Sequence, residues 1–228
     1  MRKAAKLKIK KDKFKIFIIE DHPLMCESLT RLFNLESDLL VCGQAGTIHE
    51  ALRKLPGANP DIVIVDITLP DGNGLDLIKD MKRRSIHSLV LVLSMHDESL
   101  YAERALRAGA KGYIMKHEAS QEVLKAIHRI LEGEIYLSEK MGARMLHKIA
   151  DAKSVNHALS TEGLSDRELQ VFQLIGKGRG TRQIADELCV SVKTVESYRA
   201  HIKLKMNLEN AHELTQHAVH WVESNHLN

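Results

Sequence analysis

The stretch IVIVDITLPDGNG, residues 62–74, joins four consecutive β-branched residues to an aspartate and then to a run of turn-forming residues. The first four residues do not alternate with polar ones, which is typical of a central parallel strand covered on both faces. Asp66 stands where this strand ends. Because open parallel sheets bind ligands at the carboxyl ends of their strands, Asp66 is the first candidate for a functional residue.

The sequence on either side of this stretch repeats the same unit. Short aliphatic runs alternate with segments of helical periodicity between residues 15 and 135. The predicted strands are 15–19, 39–43, 62–65, 89–93 and 112–115, and the predicted helices are 24–34, 47–55, 74–84, 98–108 and 120–132. This alternation predicts an α/β domain built on a doubly wound sheet of five parallel strands.

The length of the chain leaves room for a second domain, since 228 residues exceed the roughly 150 residues of a typical single domain. Beyond the α/β domain the strand pattern stops, and a short helix is predicted from the spacing of Met141, Met145, Leu146 and Ile149, before a flexible stretch at about 153–160. We predict a basic tail over residues 1–14, the α/β domain over 15–135, a linker with a short helix over 136–160 and a small all-α domain over 161–228.

The composition argues against export and against a membrane span. The longest aliphatic runs, 16–19 and 89–93, are far shorter than the roughly 20 apolar residues that cross a bilayer. The N-terminus is basic but lacks the hydrophobic segment of a signal peptide. Three cysteines, an odd number far apart in sequence, suit reduced thiols. We therefore expect a cytoplasmic protein with no membrane partner.

Polar side chains stand at the ends of four of the five predicted strands. They are Glu20 and Asp21 after the first strand, Asp66 after the third, Ser94 at the end of the fourth and Lys116 after the fifth. Parallel strands end at the same edge of a sheet, so these groups are expected to converge. Three carboxylates at one edge repel each other and require a cation, and an all-oxygen set suits Mg²⁺.

These motifs together resemble the receiver domains of bacterial two-component response regulators, which have a flavodoxin-like fold. The resemblance implies that Asp66 accepts a phosphoryl group from a phosphohistidine on a sensor histidine kinase. It implies Mg²⁺ ligands at Glu20, Asp21, Asp66 and the backbone carbonyl of Thr68. It also implies that Ser94 and Lys116 contact the phosphoryl group, and that Ser94 and Tyr113 move when it arrives. A tyrosine without a switching role remains an alternative for Tyr113.

An enzyme is the main alternative for this domain. Phosphatases of the haloacid dehalogenase type also place a nucleophilic aspartate and Mg²⁺ at a strand end, but they need a second aspartate two positions later. Here that position is Thr68. Without the proton shuttle, the phosphoaspartate is expected to be a stored signal, so we predict a switch and not an enzyme. His22 and His96, beside the same edge, are expected to be loop residues.

The last segment carries the signals of short capped helices. Ser165 and Glu168 have capping-box spacing, Thr181 is a candidate cap for a second helix, and Ser191 is one for a third. Two short helices joined by a tight turn predict a helix-turn-helix, whose second helix enters the major groove of DNA. Seven basic residues against three acidic ones between positions 176 and 205 favour a nucleic-acid partner.

The segments 164–168, 184–185 and 191–198 resemble the LuxR-type DNA-binding domain, and the whole chain resembles the NarL/FixJ class of response regulators. The resemblance implies base-facing positions at Glu196, Ser197 and Ala200. It implies positions nearer phosphates at Lys193, Thr194, Arg199 and Lys203. It also implies a homodimer on promoter DNA when phosphorylated, paired through the last helix over 210–222; a helix that only packs in the domain core is the alternative. The alternative is a phosphorylation switch whose C-terminal domain binds a protein partner instead of DNA.

Overall fold

A computed structural model of the chain describes residues 13–118, 120–150 and 161–226. The basic tail, apart from its last two residues, and the stretch at about 153–160 lie outside the described residues. Within the described ranges, no helix combines the length and apolar character that a bilayer crossing requires.

Five parallel strands form one sheet, which confirms the predicted doubly wound fold. The strands are β1 (Phe14–Ile19), β2 (Leu39–Ala45), β3 (Ile62–Val65), β6 (Leu89–Ser94) and β7 (Gly112–Met115). The helices between and after them are α1 (Pro23–Leu35), α2 (Ile48–Ala58), α3 (Gly74–Arg83), α4 (Glu98–Ala108) and α5 (Ser120–Leu131). The strands lie in the order β2-β1-β3-β6-β7. This order reverses between β1 and β3, so the ligand crevice of this fold opens there.

The central strand β3 is buried along its whole length, as its unbroken apolar run predicted. It pairs in parallel with β1 on one side and with β6 on the other. Residues of α1 and α5, such as Phe33 and Ile127, pack on one face of the sheet. Residues of α2, α3 and α4, such as Leu55 and Ile78, pack on the other face.

The loop after β3 contains a short hairpin that the sequence pattern did not reveal. Its strands are β4 (Thr68–Leu69) and β5 (Gly72–Asn73), which pair antiparallel. The Asn73 side chain ends the hairpin and begins α3, because its Oδ1 accepts a hydrogen bond from the Leu75 N–H at 2.8 Å. The hairpin therefore fixes the path of the chain directly after Asp66.

The chain after α5 covers the outer edge of the sheet. The Tyr113 N–H donates to the Tyr136 carbonyl at 3.1 Å, and the Tyr136 N–H donates to the Lys111 carbonyl at 2.9 Å. This pairing protects an otherwise open strand edge. Helix α6 (Glu139–Ala150) follows and packs on α4, with Met141 buried.

The remaining helices form a small all-α unit, called here the output domain. They are α7 (Asp166–Gly176), α8 (Thr181–Glu187), α9 (Val192–Lys205) and α10 (Ala211–His226). Ser165 caps α7 in the predicted capping box, and Ser191 caps α9. The prediction for Thr181 was wrong, because Gly180 has the extended backbone of a cap and its N–H bonds the Gln183 side chain.

We expect Gly74→Ala to destabilise the α/β domain, because a Cβ at this position would overlap the backbone carbonyl oxygen of Asp66. Overpacking of this kind costs about 1–3 kcal/mol, which urea unfolding measures. Gly57→Ala is the matched control, since no described atom lies within 4 Å of its added Cβ. It should leave stability unchanged or raise it by up to about 1 kcal/mol. Equal losses for both variants would contradict the packing argument.

Candidate functional site

The structure brings the predicted strand-end groups together around one lysine. Lys116 Nζ lies 2.6 Å from Glu20 Oε2 and 2.8 Å from Asp66 Oδ2, and the three side chains are at most 6% exposed. Burial lowers the pKa of Lys116, but the carboxylates of Asp66 and Glu20 raise it by more, so its pKa lies above the ordinary value. The ammonium group therefore stays charged and pairs with two buried carboxylates, which leaves one negative charge uncompensated by it.

The same edge has the ligand set for a divalent cation. Among the described residues, nothing donates a hydrogen bond to Asp66 Oδ1, although this oxygen is buried. Glu20 and Asp21 lie beside one another, and His22 Nδ1 is 2.9 Å from Glu20 Oε1 and 3.0 Å from Asp21 Oδ1. A hydrogen bond to Glu20 and the charge of Asp21 raise the pKa of His22. Carboxylate oxygens with an unused buried acceptor fit a hard ion such as Mg²⁺.

Ser94 and Tyr113 lie next to this cluster, and both are buried. The Tyr113 hydroxyl donates to the backbone carbonyl of His96 at 2.8 Å, and the His96 N–H donates to Ser94 Oγ at 3.4 Å. In this structure Tyr113 already occupies an inward position. Its expected movement on phosphorylation stays a prediction.

Thr68 and His96 make a contact that sequence reasoning missed. His96 Nε2 lies 2.9 Å from Thr68 Oγ1. Burial lowers the pKa of His96 to about 4, so the imidazole is neutral at neutral pH. His96 is therefore a fixed part of the site's hydrogen-bond network and not merely a residue of the β6–α4 loop.

The output domain docks on the α/β domain through one face of α7. Asp166, Gln170 and Gln173, called here the docking stripe, recur at helical spacing and are all buried. Arg104 Nη1 lies 3.0 Å from Asp166 Oδ1, and the Tyr101 hydroxyl donates to Gln173 Oε1 at 2.8 Å. Sequence reasoning missed this contact, because polar residues at helical spacing are equally typical of a solvent-exposed helix face.

The predicted reading face of α9 remains exposed while the domains are docked. Val195 and Ile202 are buried in the output domain. The exposed predicted positions are Lys193, Glu196, Ser197 and Ala200, and the partly exposed ones are Thr194, Arg199 and Lys203. Lys205, counted among the basic residues, is instead 2.6 Å from the buried carboxylate of Glu168. Leu204 is 80% exposed on the same helix.

Comparison with known proteins agrees with this arrangement. Residues 16–128 match the family described as response regulator receiver domain, and residues 162–218 match bacterial regulatory proteins of the luxR family. The oxygen regulatory protein NreC of Staphylococcus haemolyticus (strain JCSC1435) is 34% identical over 211 residues, covering 90% of this chain and 96% of that protein. The chain belongs to the response regulators with a LuxR-family output domain. It is a DNA-binding transcription regulator controlled by phosphorylation.

Solved structures support the fold of this response regulator. A LuxR-family two-component response regulator from Aurantimonas sp. SI85-9A1 is 28% identical, with a TM-score of 0.57, over 61% of this chain and all of that one. RcsB of Salmonella enterica serovar Typhimurium, bound to promoter rprA with the phosphomimetic BeF3−, is 23% identical, with a TM-score of 0.60. That match covers 91% of this chain and 99% of RcsB, and it shows a shared fold.

We expect Lys116→Met to destabilise the response regulator in magnesium-free buffer, because it leaves two buried carboxylates without their cation. Removing one partner of a buried ion pair costs about 3–5 kcal/mol, which urea unfolding measures. Lys125→Met is the control, since its pair with Glu122 is exposed on α5, where solvent screens the attraction and little stability is lost with it. Similar losses for the two variants would show that burial does not set the strength of the Lys116 contacts.

Proposed function

We propose that Asp66 is the residue that a sensor histidine kinase phosphorylates in this response regulator. The observation that carries this proposal is that only one of the two carboxylate oxygens of Asp66 has a hydrogen-bond partner among the described residues. Lys116 holds Oδ2, while among the described residues nothing donates a hydrogen bond to Oδ1. Oδ1 thus keeps a lone pair that can attack the phosphorus atom of a phosphohistidine once this buried oxygen is uncovered. The new P–O bond forms as the P–N bond breaks, and the imidazole takes a proton as it leaves.

The surrounding residues would stabilise the negative charge that the phosphoryl group adds. We propose that Glu20, Asp21, Asp66 and the Thr68 carbonyl hold Mg²⁺, which would shield the oxygens of the phosphoryl group. Both oxygens of Glu20 already have partners, His22 Nδ1 and Lys116 Nζ, so those side chains must yield when the ion binds. Lys116 then pairs with the phosphoryl group, and the Ser94 hydroxyl donates a hydrogen bond to it.

Storage of the phosphoryl group, and not turnover, is the expected outcome. The residue two positions after Asp66 is Thr68, whose hydroxyl is engaged with His96 and offers no carboxylic proton shuttle. We therefore propose a switch without enzymatic turnover of its own. A phosphoryl group adds about −1.5 to −2 charge at the acidic edge, which is enough to reorganise hydrogen bonds around it.

We propose that this reorganisation undocks the output domain and lets it bind promoter DNA as a homodimer. The reading positions of α9 are exposed in the docked form, so docking does not inhibit DNA binding by covering them. It fixes the orientation of each output domain on its own receiver domain. Undocking frees two output domains to pair, and α10 is the helix we assign to that pairing.

We also propose how the chain is divided into domains for this function. We assign residues 1–14 to a basic tail, 15–135 to the receiver domain, 136–160 to the linker and 161–228 to the output domain. We also propose that the protein works in the cytoplasm, where its kinase partner presents the phosphohistidine and promoter DNA is accessible.

We expect Asp66→Asn to abolish phosphorylation and to leave the fold intact, because the amide keeps the shape of the carboxylate but is not a nucleophile. The measurement is the mass of an alkali-labile adduct after incubation with acetyl phosphate and magnesium. Asp71→Asn is the control, since Asp71 instead accepts hydrogen bonds from the first turn of α2. Equal labelling of wild type and Asp66→Asn would refute the assignment.

We expect Glu196→Ala to cost about 1–3 kcal/mol on the preferred duplex and to relax one base position. Selection of binding sites from random duplexes by the phosphorylated protein measures both effects. Glu209→Ala also removes an exposed carboxylate, but outside α9, and should leave the preference unchanged. An unchanged preference for Glu196→Ala would remove this residue from the reading set. Affinity that does not fall with rising salt would favour a protein partner over DNA.

A further inference from the structure

His96 connects the phosphorylation site to the docked output domain. Its ring nitrogen Nε2 lies 2.9 Å from Thr68 Oγ1 and 3.3 Å from Gln170 Nε2 of the docking stripe. Its backbone N–H donates to Ser94 Oγ. Its ring also packs on Tyr101, with 4.6 Å between the ring centroids. One residue therefore contacts the loop after Asp66, the buried hydroxyl at the end of β6 and helix α7.

The directions of these hydrogen bonds follow from the neighbours of Gln170. Arg167 Nη1 donates to Gln170 Oε1 at 2.9 Å, which turns the amide nitrogen of Gln170 toward His96. An amide nitrogen only donates, so His96 Nε2 is the acceptor and the ring proton lies on Nδ1. The Thr68 hydroxyl donates to the same nitrogen. A single acceptor thus serves one donor from the receiver domain and one from the output domain.

We propose that the docked output domain weakens binding of a phosphoryl group at Asp66, and that His96 transmits this effect. The inference rests on the proposed function of Asp66 and extends it in the reverse direction, from output domain to phosphorylation site. Gln170 helps to hold the His96 ring against Thr68 Oγ1, while the backbone N–H of His96 donates to Ser94 Oγ. In the proposed function the Ser94 hydroxyl donates to the phosphoryl group on Asp66, so a fixed His96 that holds Ser94 Oγ opposes any movement of this side chain toward that group.

Thermodynamic linkage makes the effect reciprocal. If phosphoryl binding weakens docking, docking weakens phosphoryl binding by the same factor. Beryllofluoride is a suitable probe because it mimics the phosphoryl group and binds reversibly, so that an equilibrium constant can be measured. Fluorine NMR of the full-length protein with magnesium reports the bound fraction directly.

We expect Gln170→Ala to bind beryllofluoride about fivefold more tightly than wild type, the factor that one ordinary net hydrogen bond produces. Gln216→Ala, on an exposed position of α10, is the matched control and should bind as wild type does. In a His96→Ala background, Gln170→Ala should give no further gain, because the connecting residue is absent. This double-mutant cycle separates transmission through His96 from a general loosening of the protein.

Each contrary result has a definite meaning. The inference would be overturned if Gln170→Ala bound beryllofluoride no more tightly than wild type, or if Gln216→Ala raised the affinity by a similar factor. It would also be overturned if Gln170→Ala still raised the affinity fully in the His96→Ala background. If Gln170→Ala does not fold, Arg104→Ala breaks the docking contact from the receiver side and must also tighten binding. Failure of wild type to bind beryllofluoride at all would instead contradict the proposed function of Asp66, on which the inference rests.

Discussion

Lys116 holds two buried carboxylates at the end of a parallel sheet, and the rest of the molecule depends on this contact. Without the ammonium group, Glu20 and Asp66 would repel each other in a site that excludes most water. With it, one oxygen of Asp66 is neutralised and the other remains without a hydrogen-bond donor among the described residues. The sheet topology creates this situation, because strands β1, β3 and β7 end at the same edge.

The receiver domain was predictable because the sequence patterns that indicate its strands and helices are local and periodic. The unbroken run of residues 62–65 indicated a buried central strand, and the strand-end residues Glu20, Asp66 and Lys116 indicated where polar groups converge. The interior of the output domain was predictable in the same way, from its caps and from the apolar face of α9. The hairpin after Asp66 was missed because two-residue strands leave no periodic pattern.

The docking contact was not predicted, because its partners are far apart in sequence. The bond between Tyr101 and Gln173 spans 72 positions, and the contact between His96 and Gln170 spans 74. No sequence pattern around residues 96–101 or 170–173 indicates which residues the segment contacts. Both Asp166 and Gln170 are polar, yet the structure buries them: Asp166 pairs with Lys79 of α3 and Arg104 of α4, and Gln170 contacts His96. The role expected for His96, a loop residue beside the acidic edge, was therefore incomplete.

Helix α7 has two functions in this arrangement: its apolar residues form the core of the output domain, and its docking stripe holds that domain on the receiver. The central claim is that charge at Asp66 separates these two parts of the chain. Small-angle X-ray scattering on the monomer peak of a size-exclusion column tests it most directly. Beryllofluoride with magnesium should increase the radius of gyration of wild type and leave that of Asp66→Asn unchanged. A wild-type monomer that binds beryllofluoride at full occupancy without any increase in its radius of gyration would contradict the account.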